Sequence, residues 1–418
     1  MSHSGRTDER AADGGSDIAP ALERASFVQL VARADGDAVA AAGLLARALA
    51  DVGTPFQVSV GRTVADRTER VADVDDGAVA LVVGASDSDA RHLDPADESA
   101  SVAAWRLASD IGGAPDSVLA LAGAVAAGVT PGAGATERLV EAAETSGRLR
   151  RRPGVAVPTD DERAGLAGST LLHASFSGDD DETRAMLAEL DLDDEDADDE
   201  TDDDDEYDAE TVADESVGDD ETQAVELDDD ARRTLASRCA VETVGAPDAT
   251  PRSGEVLDRA LRPYATPEGP FATVGGLADV LDCVAQNAPG TGVALALGHD
   301  VREAALAAWR ETATAAHEAV REATTGRYDG VYVARVDEGA PVAVTARLVR
   351  DFRAPEPVAL VVGDDEAAAA AVSDCDLAGV MSRTVTQTGG AADGTPRTGY
   401  ATYECETRAF INAFREAV

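Results

Sequence analysis

Three charged side chains fall within one five-residue segment of this sequence, Arg33-Ala34-Asp35-Gly36-Asp37. An apolar run at positions 27–31 precedes the segment, and apolar residues at helical spacing follow it: Val39, Leu44, Leu45 and Leu49. This pattern predicts a strand, a tight turn and a helix. Ligands of open parallel sheets bind at the carboxyl ends of the strands, so we expect Arg33, Asp35 and Asp37 to face a crevice.

Other carboxylates could complete a site for a divalent cation, because Mg²⁺ and Mn²⁺ prefer oxygen ligands. Asp87 and Asp89 follow a later apolar run, and His92 lies nearby. With the two carboxylates of the turn they form a candidate metal site. Asp residues at strand ends also cap helices and solvate turns, so both interpretations stay open. His173 and His317 each stand alone among apolar residues and are interpreted as structural.

Arginine side chains are a second set of candidates, since a guanidinium can bind a phosphate group through two hydrogen bonds. One dense basic cluster spans positions 148–152. A second series, at positions 347–353, recurs every three residues and would lie on one side of a helix. The phosphate-binding candidates are Arg33, Arg150, Arg151, Arg152, Arg347, Arg350, Arg353 and Arg383. In so acidic a chain, each could instead pair with a nearby carboxylate.

Apolar strands alternate with helical stretches in the first part of the chain, with strands predicted at positions 27–31, 55–63 and 77–85. Continuous apolar strands separated by helices predict a parallel sheet covered on both faces. A second α/β unit is predicted from residue 291. Its strands are predicted at 293–300, 328–336, 357–365, 380–390 and 397–405, the last at the sheet edge, and its closing helix at 406–418.

The chain is thus predicted to be an α/β protein with a parallel-sheet N-terminal domain, a helical middle region and a smaller α/β C-terminal domain. Five segments are expected: a disordered tail at 1–24, the α/β domain with trailing helices at 25–190, an acidic disordered linker at 191–230, a helical connector at 231–290 and the C-terminal domain at 291–418. The linker carries 24 Asp or Glu residues and no Arg, so it cannot bury enough apolar surface to offset its ordering entropy.

The charge balance is strongly acidic, with 81 Asp or Glu residues against 35 basic residues, all of them Arg, and a formal net charge of −46. Because the acidic residues are spread over every segment, we interpret them as adaptation to a cytosol near molar salt, where charges are screened within roughly 3 Å. At that salt concentration the net charge does not exclude a nucleic acid partner. No run of 18 apolar residues occurs, so we expect a cytoplasmic protein without membrane contact.

These features resemble the DHH phosphoesterase superfamily, in particular its RecJ-like exonucleases. The family's first motif is a strand leading into D-x-D-G-D/I and small residues, and the segment from Arg33 to Ala42 matches it. The C-terminal unit resembles the family's small substrate-binding domain, in which an S-x-R stretch precedes a Gly-rich loop. Ser382-Arg383 and the segment 389–394 stand in the corresponding places. In active members, Asp residues and an Asp-His-His triplet surround two Mn²⁺ or Mg²⁺ ions.

The departures from the family pattern concern the metal ligands. Arg33 stands where the first Asp belongs, the sequence contains no Asp-His-His triplet, and no His lies near the segment 389–394. A guanidinium in place of a carboxylate repels divalent cations, so weak or absent metal binding is expected. The same guanidinium could instead hold a phosphate oxygen.

Two functions follow from the resemblance. The first is a non-catalytic RecJ-like protein without a cofactor, a scaffold in DNA replication or repair comparable to the pseudo-nuclease subunit of the eukaryotic replicative helicase. Its expected partners are GINS or MCM components, an active RecJ-like paralogue and single-stranded nucleic acid. The alternative is an active Mn²⁺- or Mg²⁺-dependent single-strand exonuclease or nucleotide or oligonucleotide phosphoesterase. That activity would use Asp35 and Asp37 as catalytic and metal-binding residues, with Asp87 and Asp89 as further metal ligands.

Overall fold

The computed structural model describes residues 17–71, 77–95, 98–190 and 227–418. Of the two segments predicted to be disordered, positions 1–16 and most of the acidic linker, 191–226, lie outside this range. The remaining parts of both segments are folded, which corrects the predicted boundaries. Residues 17–24 form helix α1, because Ile18 and Leu22 are buried in the core. At the other boundary, Asp228 caps a helix that starts at the next residue.

The described residues of the N-terminal domain form four strands: β1 (Phe27–Arg33), β2 (Phe56–Gly61), β3 (Ala78–Val83) and β4 (Arg91–Leu93). They pair in parallel in the order β2-β1-β3-β4, with Ala32 of β1 opposite Val60 and Val83. β1 is buried on both faces: Leu30 and Ala32 point into the main core, and Val31 into a smaller cluster on the other side. This is why the strand is an unbroken apolar run, and the predicted parallel sheet is confirmed.

The helices of this domain are α2 (Gly36–Asp51), α3 (Val64–Arg70), α4 (Ala100–Asp110) and α5 (Ser117–Ala126), and α2, α4 and α5 are rich in small residues. α2 packs against α4 and α5 and is buried along most of its length. A Cβ at Gly123 would come within 2.8 Å of Ala40, so these helix backbones approach more closely than larger side chains would allow. The turn that precedes α2 is therefore held on a rigid base.

The middle of the chain is helical. Its described residues, which omit 191–226, form a 3-10 turn (Gly134–Thr136) and a short antiparallel pair of strands, β5 (Arg150–Arg151) and β6 (Tyr264–Ala265). They also form the helices α6 (Glu137–Thr145), α7 (Glu162–Ala167), α8 (Asp180–Ala188), α9 (Asp229–Gly245), α10 (Pro251–Ala260), α11 (Val274–Asn287), α12 (Pro289–Ala296) and α13 (Arg302–Glu322). α11 packs against α2, α5 and α13 and so joins the N-terminal domain to the rest. The predicted strand at 293–300 is wrong, because Pro289 starts a helix there.

The C-terminal domain is built on six strands: β7 (Thr324–Tyr328), β8 (Val331–Arg335), β9 (Val358–Val362), β10 (Glu366–Ala371), β11 (Ala392–Gly394) and β12 (Thr398–Thr402). Their order is β11-β12-β10-β9-β8-β7, with β8 and β9 parallel and the other pairs antiparallel. Its helices are α14 (Val342–Leu348), which continues into a π-helical turn (Val349–Arg353), α15 (Leu377–Thr388) and α16 (Thr407–Ala417). The predicted smaller α/β domain is confirmed.

Two predicted strands of this domain need correction. Residues 380–390 lie mostly in α15, because Leu377, Val380, Met381 and Thr384 are buried at helical spacing while α15 packs against α16. The stretch 397–405 contains β12, but this strand lies between β11 and β10 and is not at the sheet edge.

Candidate functional site

The turn between β1 and α2 places Arg33 beside Asp35 at the carboxyl edge of the parallel sheet. Arg33 Nε donates a hydrogen bond to Asp35 Oδ2, and Asp35 Oδ1 accepts from the backbone N of Ala38 at 2.8 Å, which caps α2. Gly36 has no room for a side chain, because a Cβ there would lie 3.0 Å from the backbone N of Asp282. Both oxygens of Asp35 are thus already engaged by the chain itself.

Asp37 points away from the sheet edge and caps α4. Its side chain is buried, and its two oxygens accept hydrogen bonds from the backbone N of Ala100 at 2.7 Å and of Ser101 at 2.9 Å. Burial, together with the charge of Asp35, raises the pKa of Asp37 to about 6. Its role in the structure is therefore to fix the start of a neighbouring helix.

A buried ion pair between residues far apart in the sequence connects the two α/β domains at the same edge. Arg67 of α3 is fully buried and donates to the carbonyl oxygens of Gly61 at 3.0 Å and Ala85 at 2.8 Å. Its third partner is Asp393 Oδ1 of β11, in the Gly-rich segment of the C-terminal domain. The two residues are 326 positions apart, so only the Asp within the Gly-rich segment could have drawn attention to the contact.

Burial and neighbouring charges together set the pKa values of the ionisable side chains at this interface. Burial lowers the pKa of Arg33, but Asp35, Asp393 and Asp94 outweigh burial, so the net effect is a raised pKa and a permanent cation. For Asp393, burial outweighs the attraction of Arg67 and Arg33, so its pKa is raised. Nearby, Arg62 forms a more exposed pair with Glu366 of β10 at 3.2 Å. The C-terminal domain thus covers most of the crevice at the strand ends through arginine–carboxylate pairs, and leaves the Arg33 side chain 16% exposed.

The remaining metal-ligand candidates do not converge on the turn. Asp87 and Asp89 are exposed in the loop after β3, where the backbone N of Asp87 donates to Thr68 Oγ1 at 2.9 Å. His92 Nδ1 lies 3.2 Å from the carbonyl oxygen of Gly84. Within residues 17–71, 77–95, 98–190 and 227–418, no group of three or more His, Cys, Asp or Glu side chains is arranged to hold a metal ion. A pair of Mn²⁺ or Mg²⁺ ions does not fit a site with Arg33 at its centre.

Arg347, one of the phosphate-binding candidates, belongs to a buried network. It donates to the carbonyl oxygen of Thr170 at 2.9 Å and to Thr170 Oγ1 at 2.6 Å, and lies 3.6 Å from Asp279 Oδ1 and 3.8 Å from Asp282 Oδ2. Asp279 also accepts from Trp309 Nε1 at 3.0 Å. The sequence signal for this network was two Asp residues on the otherwise apolar α11. The network holds α11, α13 and α14 together.

The other C-terminal candidates are also paired. Arg350 makes two hydrogen bonds of 2.6 Å to the carboxylate of Asp351. Arg383 is half exposed and donates to the carbonyl oxygen of Ala417 at 3.0 Å. The predicted helical placement of the series at 347–353 is observed, but most of its guanidiniums face carboxylates and carbonyl oxygens.

The dense basic cluster at positions 148–152 contains both exposed and buried arginines. Arg150 is exposed on β5. Arg151 is also exposed and stacks over the ring of Tyr264, with 4.0 Å from its guanidinium carbon to the ring centre. Arg152 is largely buried, 3.9 Å from Glu162. Of the three, Arg150 and Arg151 are therefore the ones placed to meet a partner from solvent.

The two histidines predicted to be isolated form a buried stacked pair. His173 Nδ1 and His317 Nδ1 are 2.9 Å apart, and His317 Nε2 lies 3.1 Å from the carbonyl oxygen of Ser169. That carbonyl can only accept, so His317 Nε2 donates to it, and in the neutral ring His317 Nδ1 accepts from His173 Nδ1. His173 Nε2 then accepts a hydrogen bond from Arg353 at 3.3 Å. Burial lowers the pKa of His173 to about 2 and of His317 to about 3, which keeps both rings neutral.

A parallel sheet whose carboxyl edge is covered by a smaller α/β domain is an architecture that this chain shares with a solved structure. The crystal structure of CDC45 from Entamoeba histolytica has a TM-score of 0.54 to this chain, with 8% identity over 98% of each chain. At that identity the likeness shows the fold alone, and it confirms the predicted fold. RecJ in complex with Mn²⁺ from Thermus thermophilus is more distant, with a TM-score of 0.48 and 13% identity over 97% of this chain and 54% of that one. This chain thus spans about half the length of that protein.

Relatives with closer sequences define the family. Residues 323–416 match a family model described as "Uncharacterized protein rrnAC1427, C-terminal domain". The protein of that name from Haloarcula marismortui (strain ATCC 43049) is 47% identical over 419 residues, which covers 100% of both chains. The chain belongs to the rrnAC1427 family. No helix in the described part of the chain is both long and apolar enough to cross a membrane.

Proposed function

We propose that this protein is a non-catalytic member of the DHH-type fold that acts as a scaffold in DNA replication or repair. The observation that supports this most directly is the state of the carboxylates at the sheet edge. Asp35 is bound by Arg33, Asp37 by the start of α4 and Asp393 by Arg67. Hydrolysis by two metal ions needs free oxygen ligands around a shared centre, whereas this edge presents two guanidiniums and engaged carboxylates.

The replication part of the proposal comes from the family resemblance, which implies a pseudo-nuclease subunit of a helicase complex. The likeness to CDC45 supports it at the level of the fold. On that parallel, the partners are GINS or MCM components or an active RecJ-like paralogue. The protein works in a high-salt cytosol, where the strongly acidic surface is screened.

Contact with single-stranded nucleic acid is proposed at Arg33. Its Nε is bound to Asp35, and its Nη1 and Nη2 have no hydrogen-bond partner among the described residues. Its side chain is 16% exposed, enough for the outer edge of the guanidinium to accept one phosphate group. The surrounding carboxylates outweigh the effect of burial and keep the group charged at any working pH.

The decisive experiment combines hydrolysis with binding. The purified full chain is incubated in molar KCl and Mn²⁺ with a labelled single-stranded oligonucleotide, and we expect no cleavage above a protein-free control. Anisotropy with the same oligonucleotide should show binding that Arg33→Met weakens by about tenfold, the effect of one charge-assisted pair. Arg106→Met removes an exposed arginine paired with Glu98 on α4 and is the matched control.

Cleavage that requires Mn²⁺ and is lost in Asp35→Ala would overturn the proposal in favour of an active phosphoesterase. The scaffold part is tested separately, by mixing the purified protein with purified GINS and measuring a complex by size-exclusion chromatography with light scattering. The proposal is refuted if the protein neither cleaves the oligonucleotide nor binds GINS, MCM or a RecJ-like paralogue.

A further inference from the structure

A cavity of about 200 Å³ lies at the opposite end of α2 from the Arg33 turn. Arg47, which lines it, is eleven residues beyond Gly36, or about 17 Å along the helix at 1.5 Å per residue. The cavity is enclosed by the start of α5, the loop between β6 and α11, and side chains of α11 and α12. It is therefore separate from the interface of the two α/β domains.

The cavity has one apolar wall and one charged end. The wall is formed by Val118, Leu119, Phe271, Leu277 and Leu295. The charged end holds Arg47, Asp116 and Arg148, and the remaining charged residue, Glu268, is exposed at the rim. An amphipathic lining of this kind fits a ligand with one polar group and an apolar body.

One carboxylate serves two guanidiniums at the charged end. Asp116 Oδ2 lies 3.5 Å from Arg47 Nη1, and Asp116 Oδ1 lies 2.9 Å from Arg148 Nη2. The same Oδ1 also accepts from the backbone N of Val118 at 2.9 Å and of Leu119 at 3.3 Å, at the start of α5. Two cations and the positive end of a helix thus share a single anion, which leaves an excess of positive charge.

Arg47 has an unused hydrogen-bond donor. Its Nε is buried and has no hydrogen-bond partner among the described residues. Its guanidinium is held in place by the chain at Gly298, where a Cβ would come within 3.0 Å of Arg47 Nη2. Gly298 has a φ of +84°, so a larger residue is disfavoured there for backbone reasons as well. Because Nε is closed to a water-sized probe, a ligand in the cavity meets the outer Nη1 and Nη2 groups, of which Nη1 makes only the 3.5 Å contact with Asp116.

We propose that this cavity binds a small aromatic or branched monocarboxylate, whose carboxylate accepts from the outer nitrogens of Arg47 and lies near Arg148. Its apolar body packs against Leu119, Phe271 and Leu295. A cavity of roughly 150 Å³ lined by apolar side chains is large enough for benzene, so this one holds a single ring with its carboxylate. Glu268 at the rim repels a second anionic group, which selects against dicarboxylates. This site does not depend on the proposed function.

The test uses 4-fluorobenzoate as the probe and ¹⁹F NMR line broadening as the readout, with the full chain in molar KCl. We expect saturable binding that unlabelled benzoate displaces and inorganic phosphate does not. Fluorobenzene, which lacks the carboxylate, should bind at least tenfold more weakly. Arg47→Met keeps the aliphatic stem and should weaken 4-fluorobenzoate about tenfold, the effect expected of one charge-assisted hydrogen bond.

Leu295→Trp fills the apolar wall without touching the charged end and should abolish binding. Arg106→Met on α4 lies away from the cavity and should leave binding unchanged. Melting temperatures of all variants are measured first, and if Arg47→Met does not fold, Leu295→Trp decides the question. The proposal is overturned if the wild-type protein shows no saturable binding, if phosphate displaces the probe as well as benzoate does, or if binding survives in Leu295→Trp.

Discussion

The buried pair of Arg67 and Asp393 should be a main determinant of how the two α/β domains hold together. Arg67 is fully buried, Asp393 is 6% exposed, and the guanidinium donates to this carboxylate and to two carbonyl oxygens. Removing the arginine leaves a buried carboxylate without its donor and takes one donor from the carbonyl oxygens of Gly61 and of the partly buried Ala85. A broken buried pair of this kind typically costs about 3–5 kcal/mol, so we expect Arg67→Met to reduce the free energy of unfolding by that amount.

Two further variants separate the contribution of the ion pair to stability from that of the neighbouring groups. Asp393→Asn should cost only about 1–2 kcal/mol, because the amide oxygen still accepts from Arg67 and burial already disfavours the charged carboxyl. The double variant Arg67→Met/Asp393→Leu contains no uncompensated charge. It should therefore be more stable than Arg67→Met alone, with a coupling energy of about 2 kcal/mol or more.

Urea unfolding at constant molar KCl measures these values. The emission of the two tryptophans, Trp105 and Trp309, and far-UV circular dichroism report on the same transition if unfolding is two-state. Arg70→Met is the matched control, since Arg70 is exposed at the end of the same helix, and should change stability by less than about 0.5 kcal/mol. If Arg67→Met unfolds at the same urea concentration as this control, the pair does not stabilise the fold and the reasoning is wrong.

Three further predictions follow. Arg33→Asp should not create Mn²⁺ binding measurable by titration calorimetry, because it frees only one oxygen of Asp35, while Asp37 still accepts from the start of α4 and Asp393 from Arg67; micromolar affinity would show that a metal site is still intact. In the unfolded chain both histidines are protonated below about pH 6.5, whereas in the folded protein they stay neutral down to about pH 3. The free energy of unfolding should therefore fall by about 2 kcal/mol per ring between pH 7 and 5. His317→Asn should remove at least half of this slope in urea unfolding, and an unchanged slope would contradict the assignment. Gly43→Ala should lower the free energy of unfolding by about 1–3 kcal/mol, since its Cβ would lie 2.7 Å from a carbonyl oxygen of α12. Gly254→Ala, at an open helical site, should raise it by about 0.5–1 kcal/mol. If both substitutions shift the melting temperature in the same direction, the packing argument is wrong.

The sequence by itself was sufficient for features that depend on neighbours along the chain. The strand, turn and helix around Arg33 were predicted because the change from a continuous apolar run to helical spacing is local. The chemical conclusion at Arg33 was also available from the sequence, because a guanidinium is charged in any fold and cannot replace a carboxylate ligand.

Tertiary structure decided the features in which a residue's partner is distant. The alanine strand β10 has a composition that favours helices, and it is extended only because β9 and β12 pair with it on both sides. The segment 380–390 contains β-branched residues, yet it folds mainly as α15 because its apolar residues are needed on one helical face.

The distance between partners along the chain also explains how much of the site could be predicted. The sequence placed Asp35 and Asp37 at the end of a strand, but not that Asp37 caps α4, a helix that begins 63 residues later. Nor could it show that Arg67 meets Asp393, because no local pattern relates residues 326 positions apart. The residues of the turn are fixed by the sequence, whereas the free or engaged state of each carboxylate depends on which distant donors the fold brings within hydrogen-bonding distance.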